Sequence, residues 1–115
     1  MYYYIEPNLL IKESEVEAIT FYTKIDSDTS EADFSCFFYT KSGGKHGLYD
    51  CCFLGSILSK SSNINFRDFE KRLFLNFVSG IQKQEQVIKN LDQIFSLCIK
   101  KTINEFEYKD SDDGI

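Results

Sequence analysis

Between Val16 and Ile25 apolar and polar side chains alternate with a period of two. Ile19, Phe21 and Ile25 fall on one face, and Ala18, Thr20 and Tyr22 on the other. A β-strand is the backbone that sends successive side chains to opposite faces, so the stretch reads as a half-buried strand. Asp26 to Asp33 is polar and turn-like. Phe34 to Lys41, rich in Phe, Tyr and Thr, reads as a second strand. The glycine-dense run Ser42-Gly43-Gly44-Lys45-His46-Gly47 makes the next turn, and Leu48 to Leu54 a third strand. A turn centred on Gly44 sets Cys36 against Cys52, Phe37 against Cys51 and Tyr39 against Tyr49. In the first hairpin Ile25 is set against Phe34 and Phe21 against Phe38. One sheet face then carries Ile19, Phe21, Ile25, Phe34, Cys36, Phe38, Cys52 and Leu54. The other carries Ala18, Tyr22, Phe37, Tyr39, Tyr49, Cys51 and Phe53.

The period changes after residue 65. Asn65 reads as a helix cap after the connector Gly55 to Asn63, and Phe66, Phe69, Leu73 and Phe77 recur every three or four residues. The spacing predicts a helix over 66–79 with Gly80 as its stop. Ile88, Leu91, Phe95, Cys98 and Thr102, widened by Val87 and Ile94, predict a second helix over 84–105; one bent helix through Gly80 is the alternative. Strands with one apolar face and helices with one apolar stripe bury those surfaces against each other. The expected fold class is therefore α+β: a two-layer domain with an antiparallel sheet of three or more strands in the N-terminal half, packed against two C-terminal amphipathic helices. Residues 1–109 form this single domain, and 110–115 a flexible acidic tail. The second sheet face is left solvent-exposed, covered by residues 1–14, or used for binding.

Composition sharpens the picture. A chain of 115 residues suits one domain, and eleven Phe and seven Tyr are more aromatic rings than so small a core readily hides. The net charge of −5 argues against general nucleic-acid binding. Charge is uneven: residues 1–50 carry nine acids and four bases, whereas 60–104 carry four acids and eight bases. No membrane span and no secretory signal are legible, so the expected setting is cytoplasmic, with Cys36, Cys51, Cys52 and Cys98 reduced.

Candidate chemistry is sparse. His46, the lone histidine, sits in the glycine-rich turn with Asp50 and Cys51 near in sequence; a small enzyme using His46 is the least favoured reading. Cys36, His46, Cys51 and Cys52 include zinc-type ligands, but a structural zinc site pairs ligands two to four residues apart, and adjacent cysteines on a strand point opposite ways. No metal or cofactor is expected. Ser42-Gly43-Gly44-Lys45 lacks the Lys-Ser/Thr and following helix of a phosphate loop. Arg67, Lys71 and Arg72 make a small basic strip, too little for nucleic acid.

What remains is binding by surface. Acidic side chains steer association with a basic partner, and tyrosines anchor interfaces. The expected partner-binding residues are Glu13, Glu15, Glu17, Tyr22, Asp26, Asp28, Glu31, Asp33, Tyr39 and Tyr49. In size, charge and lack of a catalytic set the chain is like small acidic immunity proteins, although no motif carries a family assignment. The leading expectation is a non-enzymatic inhibitor of immunity or antitoxin type that occludes the cationic cleft of a nuclease-like bacterial toxin. The alternative is an acidic chaperone or adaptor for a secreted or phage-encoded protein. Either reading allows a homodimer.

Overall fold

The computed structural model describes residues 1–26, 28–54 and 66–113, the side chains of Phe66 and of 107–113 excepted. It is an α+β arrangement. In chain order come β1 (Tyr2–Ile5), β2 (Leu9–Lys12), a 3-10 turn (Glu13–Glu15), β3 (Val16–Asp26), β4 (Glu31–Thr40), β5 (Lys45–Phe53), α1 (Phe66–Lys83), β6 (Ile88–Asn90) and α2 (Leu91–Asp113). The expected meander is the antiparallel sheet β3-β4-β5, and α1 and α2 follow it. A second small sheet has the order β2-β1-β6, with β6 parallel to β1.

Both hairpin registers differ from the expected ones. Phe21 pairs with Cys36 and not Phe38, and Ile25 with Ala32 and not Phe34. Cys36 faces Leu48 and not Cys52, Phe37 faces Gly47, and Tyr39 faces Lys45. The cause lies in the turns. Asp26 closes the first hairpin by accepting the Ser30 amide on its carbonyl at 2.9 Å and the Asp28 amide on Oδ1 at 3.0 Å. The polar stretch is therefore a short loop, and Glu31 and Asp33 already belong to β4. In the second turn the Thr40 hydroxyl accepts the Gly44 amide at 2.9 Å, and Gly43 takes a φ of 90°, open to glycine at little cost. This draws the turn back toward Ser42 and places His46 inside β5.

Each displacement is by an even number of positions, so the faces survive intact. Ala32, Phe34, Cys36, Phe38, Leu48 and Leu54 are buried on the inner face, with Ile19, Phe21, Ile25 and Cys52 packed against them. Phe77 joins the layers, with its ring 5.6 Å from Phe21, 6.2 Å from Phe38 and 5.4 Å from Phe95. Burying each such ring contributes roughly 1.5–3 kcal/mol.

The helices are two, not one bent helix, and their ends differ from those predicted. Gly80 is no stop, because α1 continues to Lys83. A β-carbon on Gly80 would lie 3.2 Å from Ile94 Cγ2 and 3.3 Å from Cys98 Sγ, so the glycine lets α1 and α2 approach closely. Nor does the second helix begin at 84. Tyr2 to Tyr4 pair with Ile88 to Asn90, and Asn90 then caps α2 by accepting the Gln93 amide on Oδ1 at 3.2 Å. Val87 and Ile88 are accordingly exposed, whereas Leu91, Phe95, Cys98 and Thr102 are buried as their spacing predicts. Between the helices Asn76 Nδ2 donates to Thr102 Oγ1 at 2.9 Å, Thr102 Oγ1 donates to the Cys98 carbonyl at 2.7 Å, and the Cys98 thiol donates to the Asn76 carbonyl at 3.3 Å. At its far end α2 runs past the expected 105 to Asp113, over the first part of the expected 110–115 tail, whereas the Asn65 cap, the 55–63 connector and residues 114–115 lie outside the described residues. Among the described residues no helix is long and apolar enough to cross a membrane.

The N-terminal segment does not cover the outer sheet face. Tyr3, Ile5 and Ile11 turn into the core from the small sheet. Burial, with Glu13 beside the phenol, pushes the Tyr3 hydroxyl up to about 12.

Candidate interaction surface

On the outer face of the large sheet every position comes from the alternate residues of β3, β4 and β5, so the registers define rows across it. In order these are Ala18–Tyr39–Lys45, Thr20–Phe37–Gly47, Tyr22–Ser35–Tyr49, Lys24–Asp33–Cys51 and Asp26–Glu31–Phe53. Tyr22, Tyr49 and Phe53 are 64%, 69% and 69% exposed. Exposed apolar surface in such concentration is unusual for a face that meets only water.

The two ends of this face differ. At one end the ammonium of Lys45 lies 4.3 Å from the Phe37 ring centroid and 5.9 Å from that of Tyr39, so these rings already hold a cation of the chain itself. Tyr49 packs edge-on against Phe37, with centroids 5.8 Å apart. At the other end stand Asp33, Glu31 and Asp26, all exposed, next to Tyr22, Cys51 and Phe53.

The expected acidic residues therefore separate into two groups. Asp26, Glu31 and Asp33 share one end of the outer face, and Asp28 lies in the adjoining turn. Glu13 and Glu15 belong to the 3-10 turn before β3, and Glu17 sits where the β3–β4 register shifts between Val16 and Ala18. These three do not share one strand face, because the chain is a 3-10 turn over Glu13–Glu15 and β3 begins only at Val16. The length of β3, about 3.3 Å per residue, keeps the two groups apart. Of the expected tyrosines, Tyr22 and Tyr49 share a row, and Tyr39 lies two rows away beneath Lys45. Phe53 and Phe37, absent from the expected site, belong to the same surface; the signal for both was the alternation that placed them on the outer face.

Among the described residues β5 is an edge strand, and that edge carries its own safeguard. Leu54 donates to the Ser30 carbonyl and Thr40 to that of Gly44, so even-numbered residues bond toward β4 and odd-numbered amides point outward. The Asp50 carboxylate accepts one of these, the Cys51 amide, at 2.9 Å. A carboxylate seated on an edge amide discourages a further strand from pairing there.

The other candidate groups are dispersed. Strand alternation sends His46 and Cys51 to opposite faces of β5. All four cysteines are free, and among the described residues no cluster of three or more His, Cys, Asp or Glu has metal-binding geometry. Burial pushes Cys36 up to about 12 and Cys98 up to about 11, and burial, with Asp50 nearby, pushes Cys52 up to about 11. In the basic strip Arg72 is engaged by Glu105 at 2.6 Å, and its hydrogen bond holds the Glu105 carboxyl below the ordinary range.

Comparison with protein-family models, with curated proteins and with solved structures gives no match.

Proposed function

We propose that the chain is a binding protein that docks a cationic protein on the open aromatic face of β3-β4-β5, acting as an inhibitor of immunity or antitoxin type in the cytoplasm. The observation that carries this reading is the adjacency of three highly exposed rings, Tyr22, Tyr49 and Phe53, to the carboxylates of Asp26, Glu31 and Asp33. Rings bury large area at low entropic cost, and carboxylates around them accelerate encounter with a positive surface. A nuclease-like toxin presents such a surface, since its own substrate is a polyanion. The net charge of −5 acts in the same direction at longer range.

The test uses the full chain as bait in its native cell extract, beside two variants, Tyr22→Ala/Phe53→Ala and Asp26→Lys/Glu31→Lys. The expected result is a basic protein retained by the wild type, with the equilibrium dissociation constant raised at least about tenfold in each variant. The purified chain should also abolish that protein's activity at equimolar ratio. A partner held equally by all three forms, or one of acidic character, overturns the reading.

A further inference from the structure

We infer that a notch on the outer face, floored by Ser35 and Cys51, receives a single lysine or arginine side chain of the partner; this rests on the binding role proposed above. Ser35 lies between Tyr22 and Tyr49 in one row, and Cys51 beside Asp33 in the next. The two small residues leave an open cleft of about 530 Å³, lined by Asp33, Ser35, Tyr49, Cys51, Phe34 and Asp50. The Phe34 ring is buried on the inner face, so Phe34 contributes only backbone to the floor.

Three observations favour a cation there. First, the surface already holds one: Lys45 lies over Phe37 at 4.3 Å, which shows an ammonium settled on the rings of this face. Second, no cation of the chain stacks on Tyr22, Tyr49 or Phe53 among the described residues. Third, Asp33 makes no ion pair among the described residues, although Lys24 is its cross-strand neighbour. An aromatic wall beside an unpaired carboxylate is matched by an ammonium or guanidinium, which stacks on the ring and donates hydrogen bonds to the carboxylate. A neutral side chain would leave that carboxylate partly desolvated and unpaired.

Amide chemical shifts of the full-length chain read this at low salt, with N-acetyl-arginine methylamide and N-acetyl-lysine methylamide as probes and the N-acetyl-citrulline analogue as neutral control. The expected result is saturable shifts confined to Asp33, Ser35, Tyr49, Cys51 and their neighbours with the charged probes, and none with citrulline. Asp33→Asn should weaken them about threefold or more, and Ser35→Phe should abolish them by filling the notch. The amide spectra of both variants report folding directly. Non-saturating shifts at all carboxylates, equal shifts with citrulline, or indifference to Asp33→Asn overturn the inference. The two proposals fail separately. A basic partner lost on Tyr22→Ala/Phe53→Ala but bound equally by Asp33→Asn removes only the notch. A partner indifferent to the Tyr22 and Phe53 changes removes the docking face.

Discussion

Tyr49 lies folded over Gly47: a β-carbon built on Gly47 would come 2.5 Å from the Tyr49 hydroxyl oxygen and 2.7 Å from Cζ. The missing side chain is what lets the tyrosine recline along β5 and meet Phe37 edge-on. Gly47→Val should therefore lift Tyr49 off Phe37 while leaving the fold intact, because the ring is exposed and free to swing. Valine suits a strand better than glycine, so stability should change by less than about 1 kcal/mol. The measurements are the near-ultraviolet circular dichroism of tyrosine, expected to change, and the thermal midpoint, expected to hold. A lowered midpoint with an unchanged tyrosine signal would show that the ring is not what occupies the space.

Gly80 predicts a graded series. Its α-carbon sits against Ile94 and Cys98 where α1 crosses α2. Gly80→Ala adds one methyl 3.2–3.3 Å from Ile94 Cγ2 and Cys98 Sγ, which must give by a few tenths of an ångström, and the helix-propensity gain of up to about 1 kcal/mol offsets that crowding. Gly80→Leu cannot be accommodated so and should cost about 1–3 kcal/mol. Urea denaturation of the three proteins checks this, and a leucine variant as stable as the wild type would refute the close approach.

The four thiols should react in a fixed order. Cys51 is exposed, whereas Cys36 and Cys98 are buried with their thiols pushed up to about 12 and 11, and Cys52 is half-buried and pushed up to about 11. Iodoacetamide at pH 8 should label Cys51 first, and the other three at the rate of local or global unfolding. Mass mapping after short pulses reads the order; early labelling of Cys36 would contradict the packing.

Alkaline pH should destabilise the protein. Tyr3, Cys36, Cys52 and Cys98 all have folded-state values above their ordinary ones, 10.0 for the phenol and 9.0 for the thiols. The unfolded chain then loses these protons first, and the folded chain binds more of them. Stability is fully present below about pH 9 and falls as pH rises toward 11 and 12. Urea midpoints between pH 8 and pH 11 test the direction. Cys36→Ala/Cys98→Ala should flatten the slope, and an unchanged slope would assign the effect elsewhere.

Local pattern alone determined which face each strand residue occupies and the buried stripe of each helix from Phe69 and from Leu91 onward, but not the exposure of Val87 and Ile88, which precede α2. Period two survives any even displacement of register, so Phe34, Cys36 and Phe38 turn inward whichever residue they pair with. Likewise Phe69, Leu73 and Phe77 share a stripe wherever α1 ends. The pairs themselves, and hence the rows that put Tyr22 beside Ser35 and Asp33 beside Cys51, depended on turn closure by Asp26 and Thr40, where a hydrogen bond or two outweighs the centring of a glycine run. The start of α2 is legible as well: Asn90 stands as a cap directly before the stripe that begins at Leu91. Other features lie beyond local reading. The β6 strand exists because the N-terminal strand arrives beside it from more than eighty residues away, and Gly80 stays helical because α2 presses against its bare α-carbon. Long-range partners decided both, and so decided which of the expected carboxylates share a surface with the exposed rings.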